Sequence, residues 1–205
     1  MTRHPDKVTI TNEEINVLPL GAFEGEVVVI SDPLATEMAF DEINHHRVVG
    51  FDTETKPVFV RGHSNKVALM QIAIPKKVFL LRLNKTGITP SIQRFLENEK
   101  IGKAGVALRD DIKGLQKLKH YAPAGFIELA EMSKNAGLEV ESVKKLAALL
   151  LGIRISKGAQ TSNWEAGHLN EKQISYAATD AWVCLEVYSH LKNKGFTFNV
   201  VKLRK

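Results

Sequence analysis

The chain has 205 residues, 44% of them apolar, which is enough for one sizeable core. Lys and Arg number 28 against 23 Asp and Glu, and the resulting charge of +5 suits a polyanionic partner without requiring one. The single cysteine, Cys184, excludes an internal disulfide framework and a cysteine-based zinc site. The N-terminus, Met1-Thr2-Arg3-His4-Pro5-Asp6-Lys7, lacks an apolar signal core, and no apolar run is long enough to span a bilayer, so the expectation is a soluble intracellular, cytoplasmic protein with no membrane partner.

Residues 1–23 are weakly patterned and read as an extended N-terminal arm packed on a domain spanning 24–195, with 196–205 as a C-terminal tail. Glu24 to Ser31 is β-branched and predicts a short strand. Asp32-Pro33 then starts a helix to about His46, with Leu34, Met38, Phe40 and Ile43 as its apolar positions. Arg47 to Glu54, Val67 to Pro75 and Lys77 to Leu83 predict three strands, the first two separated by a Gly- and Pro-containing loop. Their short connections suggest an antiparallel meander. A helix over Thr89 to Glu99, a strand over Ile101 to Leu108, a helix over Arg109 to Leu118 and a strand over Gly125 to Leu129 follow. Ala130 to Ala136 and Glu141 to Leu151 read as helices, Gly152 to Gly167 as a polar loop, and Asn170 as the cap of a long helix to about Lys192. A meander followed by alternating α and β predicts a single α/β domain on a mixed sheet of five or six strands.

Three acidic features stand out. In Val48-Val49-Gly50-Phe51-Asp52-Thr53-Glu54 an apolar strand runs into two acids at i and i+2, which share a strand face and repel each other unless a cation lies between them. Taken alone, the stretch reads better as a strand end meeting solvent. In Ala104-Gly105-Val106 to Asp111 a small-residue strand enters a helix with Asp110 and Asp111 in its first turn, a place where the macrodipole favours acids anyway. In Tyr176-Ala177-Ala178-Thr179-Asp180 the phenol and carboxylate lie at i and i+4 on one helix face, in an apolar stretch where a lone aspartate is costly. The alanines between them leave room for a close approach. Four carboxylates converging in one pocket would call for about two divalent ions, an arrangement that clamps a scissile phosphate.

In order and spacing these motifs resemble the tyrosine branch of the DEDD superfamily of 3′–5′ exonucleases, most of all the Werner-type exonuclease domains and more distantly ribonuclease D. The resemblance runs over about residues 25–192 and includes Arg61-Gly62, Lys66-Val67-Ala68-Leu69-Met70-Gln71-Ile72 and Ser162-Asn163-Trp164. It implies a ribonuclease H-like fold and two-metal-ion hydrolysis of nucleic acid 3′ ends with Mg²⁺ or Mn²⁺. On that resemblance Asp52, Glu54 and Asp180 hold one ion, Asp52 and Asp111 the second, and Tyr176 positions the water. Asp111, not Asp110, lies six residues after Gly105, as the family pattern requires, and falls in helical phase with Leu108 and Leu115. The Werner-type likeness implies DNA; RNA 3′-end trimming and, from another class, a non-catalytic nucleic-acid-binding module are the alternatives.

Contacts to the nucleic acid are expected from Thr53, Phe59, Arg61, Lys66, Leu69, Arg109, Lys157 and Trp164, with Lys103 and Arg154 as further cations near the motifs. Leu69 also reads as a core residue, and for Trp164 core packing is the preferred reading. No base-reading module is present in the sequence, so little sequence preference is expected.

Overall fold

The computed structural model describes residues 7–58 and 65–196. A six-stranded sheet is assembled from β1 (Glu26–Ile30), β2 (Val48–Thr55), β3 (Val67–Ile74), β4 (Lys77–Leu81), β5 (Gly102–Gly105) and β6 (Phe126–Glu128), in the order β1-β4-β3-β2-β5-β6. The strands β2, β3 and β4 form the antiparallel meander, and β1, β5 and β6 join it by parallel pairing. Every strand except β3 therefore runs the same way, and the carboxyl ends of β2, β4, β5 and β6 share one edge. This is the edge where α/β sheets place their binding sites.

Side-chain alternation divides the sheet into two faces. Val49 and Phe51 of β2, Met70, Ile72 and Ile74 of β3, and Phe79 and Leu81 of β4 point to the first face. There they meet α2 (Pro33–Ile43), α4 (Pro90–Glu97) and α5 (Leu108–Gln116). Phe51 packs edge-on to Phe126 at 5.5 Å and, buried completely, contributes about 1.5–3 kcal/mol. Leu69 and Ala73 of β3 and Val78 and Leu80 of β4 point to the second face, which is covered by α8 (Glu171–Asn193). Farther along that face α6 (Leu129–Asn135) and α7 (Val143–Leu146) pack on α8. The position Gly50 shows why α8 comes so close: a Cβ there would stand 1.9 Å from the Ala181 carbonyl oxygen.

The chain departs from the sequence reading at several points. The N-terminal arm is not wholly extended, because Thr11 and Glu14 form a capping box that starts α1 (Asn12–Asn16) and buries Ile15. On α2, Leu34 and Met38 are 70% and 66% exposed, since the helix turns Thr36, Ala39, Phe40 and Ile43 inward instead. A short α3 (Leu83–Thr86) follows β4. The helix expected over Glu141 to Leu151 is α-helical only over α7 and continues as a π-helical turn, Ala147–Leu151, stopped by left-handed Gly152. The expected C-terminal tail lies almost wholly outside the described residues. Among the described residues no helix is long and apolar enough to cross a membrane.

Candidate active site

The acidic features meet at the carboxyl edge of β2. Asp52 and Glu54 share the face with Gly50 and so point toward α8, while Asp180 comes down from the middle of that helix. One carboxylate oxygen from each of the three lies within 4.8 Å of the other two. Thr53 points to the opposite face and donates its hydroxyl to Asp111 Oδ1 in the first turn of α5. Asp111 thus arrives from the other layer, close enough to press electrostatically on Asp52. Asp110, its neighbour, faces solvent. Tyr176 stands one turn before Asp180 and is half-buried.

Burial is the main source of strain in this cluster. It holds the Asp52 carboxyl well above the usual range, with the charges of Asp111, Asp180 and Glu54 adding to the rise. Burial, then Asp180 and Asp111, push Glu54 up to about 8. Burial raises Asp180 to about 7 against the pull of a hydrogen bond from the Tyr176 phenol. Asp111 rises to about 6, again through burial, and the Thr53 hydroxyl opposes the shift. The Tyr176 phenol is raised by burial and by Asp180 and Glu54, so it stays protonated across the neutral range. Carboxylates that are buried, crowded and short of cationic partners form the donor set that a hard divalent cation satisfies.

The cluster opens into a cleft of about 330 Å³. Its lining also includes Ser142, the N-cap of α7, with Lys144, Ser156, Lys157 and Gln160. Of the cations expected to meet nucleic acid, Lys157 lines this cleft, while Lys66 and Arg109 are exposed and are not among its lining residues. Phe59 and Arg61 lie outside the described residues. Leu69 and Trp164 are fully buried in the core beneath α8 and are not available to stack on a base. Lys103 is also buried: its Nζ donates to the carbonyls of Asn98 and Ala124, both at 2.7 Å, and lies over the rings of Phe95 and Phe126. Burial alone lowers it to about 7. Arg154 ties the N-terminal segment down by donating Nε to the Leu18 carbonyl at 3.0 Å. The alanines between Tyr176 and Asp180 do permit a close approach, but what approaches is the sheet, since Ala177 and Ala178 are buried against it.

Sequence reasoning missed two contributors. Lys144 sits on a helix to which the sequence assigns no functional residue. Glu128, at the end of β6, accepts from the backbone N–H groups of Ala107 and Leu108 at 3.1 and 2.9 Å, and from Ala130 at 3.2 Å. It steadies the left-handed Ala107 (φ 59°), the N-cap of α5, whose first turn carries Asp111. An acid at a strand end just before a helix was the available signal, and it announced only the cap of α6.

A family profile described as 3′–5′ exonuclease matches residues 27–195. The chain is 31% identical over 198 residues to the mouse (Mus musculus) bifunctional 3′–5′ exonuclease/ATP-dependent helicase WRN, covering 92% of this chain and 14% of that protein's length. Among solved structures, the Nibbler EXO domain of Aedes aegypti superposes with a TM-score of 0.72 at 22% identity, covering 82% of this chain and 88% of that one. RNase D of Trypanosoma brucei, solved in complex with RNA U12, superposes with a TM-score of 0.71 at 18% identity, covering 82% of this chain and 63% of that one. At these identities the likeness concerns the fold, which is the ribonuclease H-like arrangement of a mixed sheet flanked by helices.

Proposed function

Because the chain belongs to the 3′–5′ exonuclease family, we propose that it hydrolyses the terminal phosphodiester at nucleic acid 3′ ends and releases nucleoside monophosphates. The observation that carries this reading is the group formed by Asp52, Glu54 and Asp180, three carboxylates from two elements within 4.8 Å of one another. Their burial without a cationic partner among the described residues fits a divalent cation, Mg²⁺ or Mn²⁺. Asp52, Glu54 and Asp180 would hold one ion, and Asp52 with Asp111 a second. Such ions, when bound, activate a water and stabilise the charge that develops on the scissile phosphate.

The chain's own residues divide the remaining work. Thr53, through its hydroxyl, keeps the Asp111 carboxylate turned toward the strand end. Tyr176, its phenol raised by burial and by Asp180 and Glu54, would position the attacking water through its hydroxyl. Lys144 and Lys157, which line the same cleft, would meet substrate phosphates, and their contribution to binding would weaken with salt.

DNA is the proposed substrate, in keeping with the Werner-type resemblance. RNA is the second reading, favoured by the fold shared with an RNase D seen bound to RNA. Incubation of 3′-recessed DNA and of single-stranded RNA with Mg²⁺ or Mn²⁺ separates the two. Mononucleotide release from DNA supports the first reading and release from RNA alone supports the second. Release from neither by folded protein defeats the proposal and leaves a binding module.

A further inference from the structure

Arg82, the residue after β4, is 2% exposed, and among the described residues no carboxylate pairs with it. A buried cation without an anion is costly and needs a compensating task. Its guanidinium engages backbone only: Nη1 donates to the Gly167 carbonyl at 2.8 Å and Nη2 to that of Ala166. Nε has no partner.

The register shows where this happens. Leu81 faces Met70, so Arg82 lies across from Leu69, and Leu69 in turn faces Glu54. Arg82 thus shares a cross-sheet row with Glu54, two strands away, or about 10 Å. By alternation its side chain joins Leu80 on the face that α8 covers.

The segment it grips carries Trp164, which is fully buried with its ring centroid 6.1 Å from that of Tyr176. Among the described residues the indole Nε1 has no hydrogen-bond partner, so nothing polar there sets the ring's place. Its backbone does that. Gln173 of α8 donates to the Asn163 carbonyl at 3.2 Å, Lys56 beyond β2 pairs with Glu165 at 3.7 Å, and Arg82 holds Ala166 and Gly167 from below.

We infer that Arg82 is a positioning residue for Tyr176: its two-carbonyl clamp fixes the 163–167 segment, which seats Trp164 behind the phenol ring. This rests on the reading of Tyr176 as a residue of the exonuclease site. A planar fork suits the task better than an ammonium, because two carbonyls of one turn are gripped at once.

A double-mutant cycle combined with a fluorescence measurement tests it. Steady-state kinetics on a 3′-recessed oligonucleotide compare wild type, Arg82→Met, Tyr176→Phe and the double variant. Trp182→Phe, which removes the chain's other tryptophan, lets Trp164 emission be read alone. Arg82→Met is expected to lower kcat about tenfold, with KM within about twofold, and to shift Trp164 emission to longer wavelength. In the Tyr176→Phe background the same substitution should change kcat by less than about twofold. Arg82→Lys, which keeps the charge without the fork, carries the same cycle if Arg82→Met does not fold. Equal losses of kcat in both backgrounds, or unchanged kcat and emission, would overturn the clamp while leaving the site standing. A Tyr176→Phe variant with wild-type kcat would overturn the reading of Tyr176, and the clamp's role with it.

Discussion

Asp52 is the carboxylate on which three others press, since Asp111, Asp180 and Glu54 all raise it. It is also the proposed ligand common to both ions. Loss of residues that merely support a metal ligand costs about 10–100-fold, so Asp52→Ala is expected to lower nuclease activity by more than about 100-fold. Activity near wild type in a folded Asp52→Ala protein would mean the site lies elsewhere. Tyr176→Phe removes an orienting hydroxyl and no charge. Its kcat should fall by about 10²-fold, the lower end for groups that act directly on a reacting proton, with substrate affinity nearly unchanged; equilibrium binding measured beside single-turnover rates distinguishes the two effects. Much at this scale was legible in the sequence. The i, i+2 acids of β2 and the i, i+4 pair of α8 each have an ordinary reading alone, and it is their occurrence together, in order, that points to one site. Lys103 misled, and Leu69 stayed open between core and base contact, because type and position relative to a motif say nothing of which layer covers a side chain.

The site depends on how closely α8 lies on β2. Gly50→Ala would set a methyl 1.9 Å from the Ala181 carbonyl oxygen, and backbone cannot rotate out of the way as a side chain can. Overpacking of a tight core costs about 1–3 kcal/mol, and this contact belongs at the upper end or beyond. The variant is expected to lose stability by chemical denaturation and also activity, because α8 carries Asp180 away from Asp52 as it lifts. A stable, active Gly50→Ala protein would show that the helix–strand distance does not set the site. Element boundaries followed the sequence closely wherever a cap or breaker marked them, as at Asp32-Pro33, Thr89-Pro90 and Asn170. The π-helical turn after α7 and the outward face of α2 escaped notice. Both are decided by what the helix packs against, and an apolar pattern of period near 3.6 fits more than one phase.

Across the molecule, carboxylates converge on one sheet edge from both layers, and their mutual repulsion is built into the fold. With Glu54 at about 8 against an ordinary 4.5, the folded chain holds a proton that the unfolded chain has released between those values. Where the native state binds more protons, stability falls as pH rises. The metal-free protein should therefore lose thermal stability from about pH 5 to about pH 8, a window that also covers Asp180 and Asp111. Mg²⁺ or Mn²⁺ should flatten that decline, since an ion that binds only the folded state at a hundred times its Kd adds about 2.7 kcal/mol. Asp52→Asn should abolish most of the gain. A melting temperature that ignores both pH and divalent ions would argue that the carboxylates are already neutralised some other way.

Chain connectivity adds a last consequence. Asp52, Glu54 and Asp111 all precede the turn at Gly137, whereas Tyr176 and Asp180 follow it on α8. A chain divided at that turn would leave neither piece with the group of three carboxylates. Nuclease activity regained on mixing the pieces would then report that α8 had docked again on β2, so that the chemistry itself serves as a gauge of assembly.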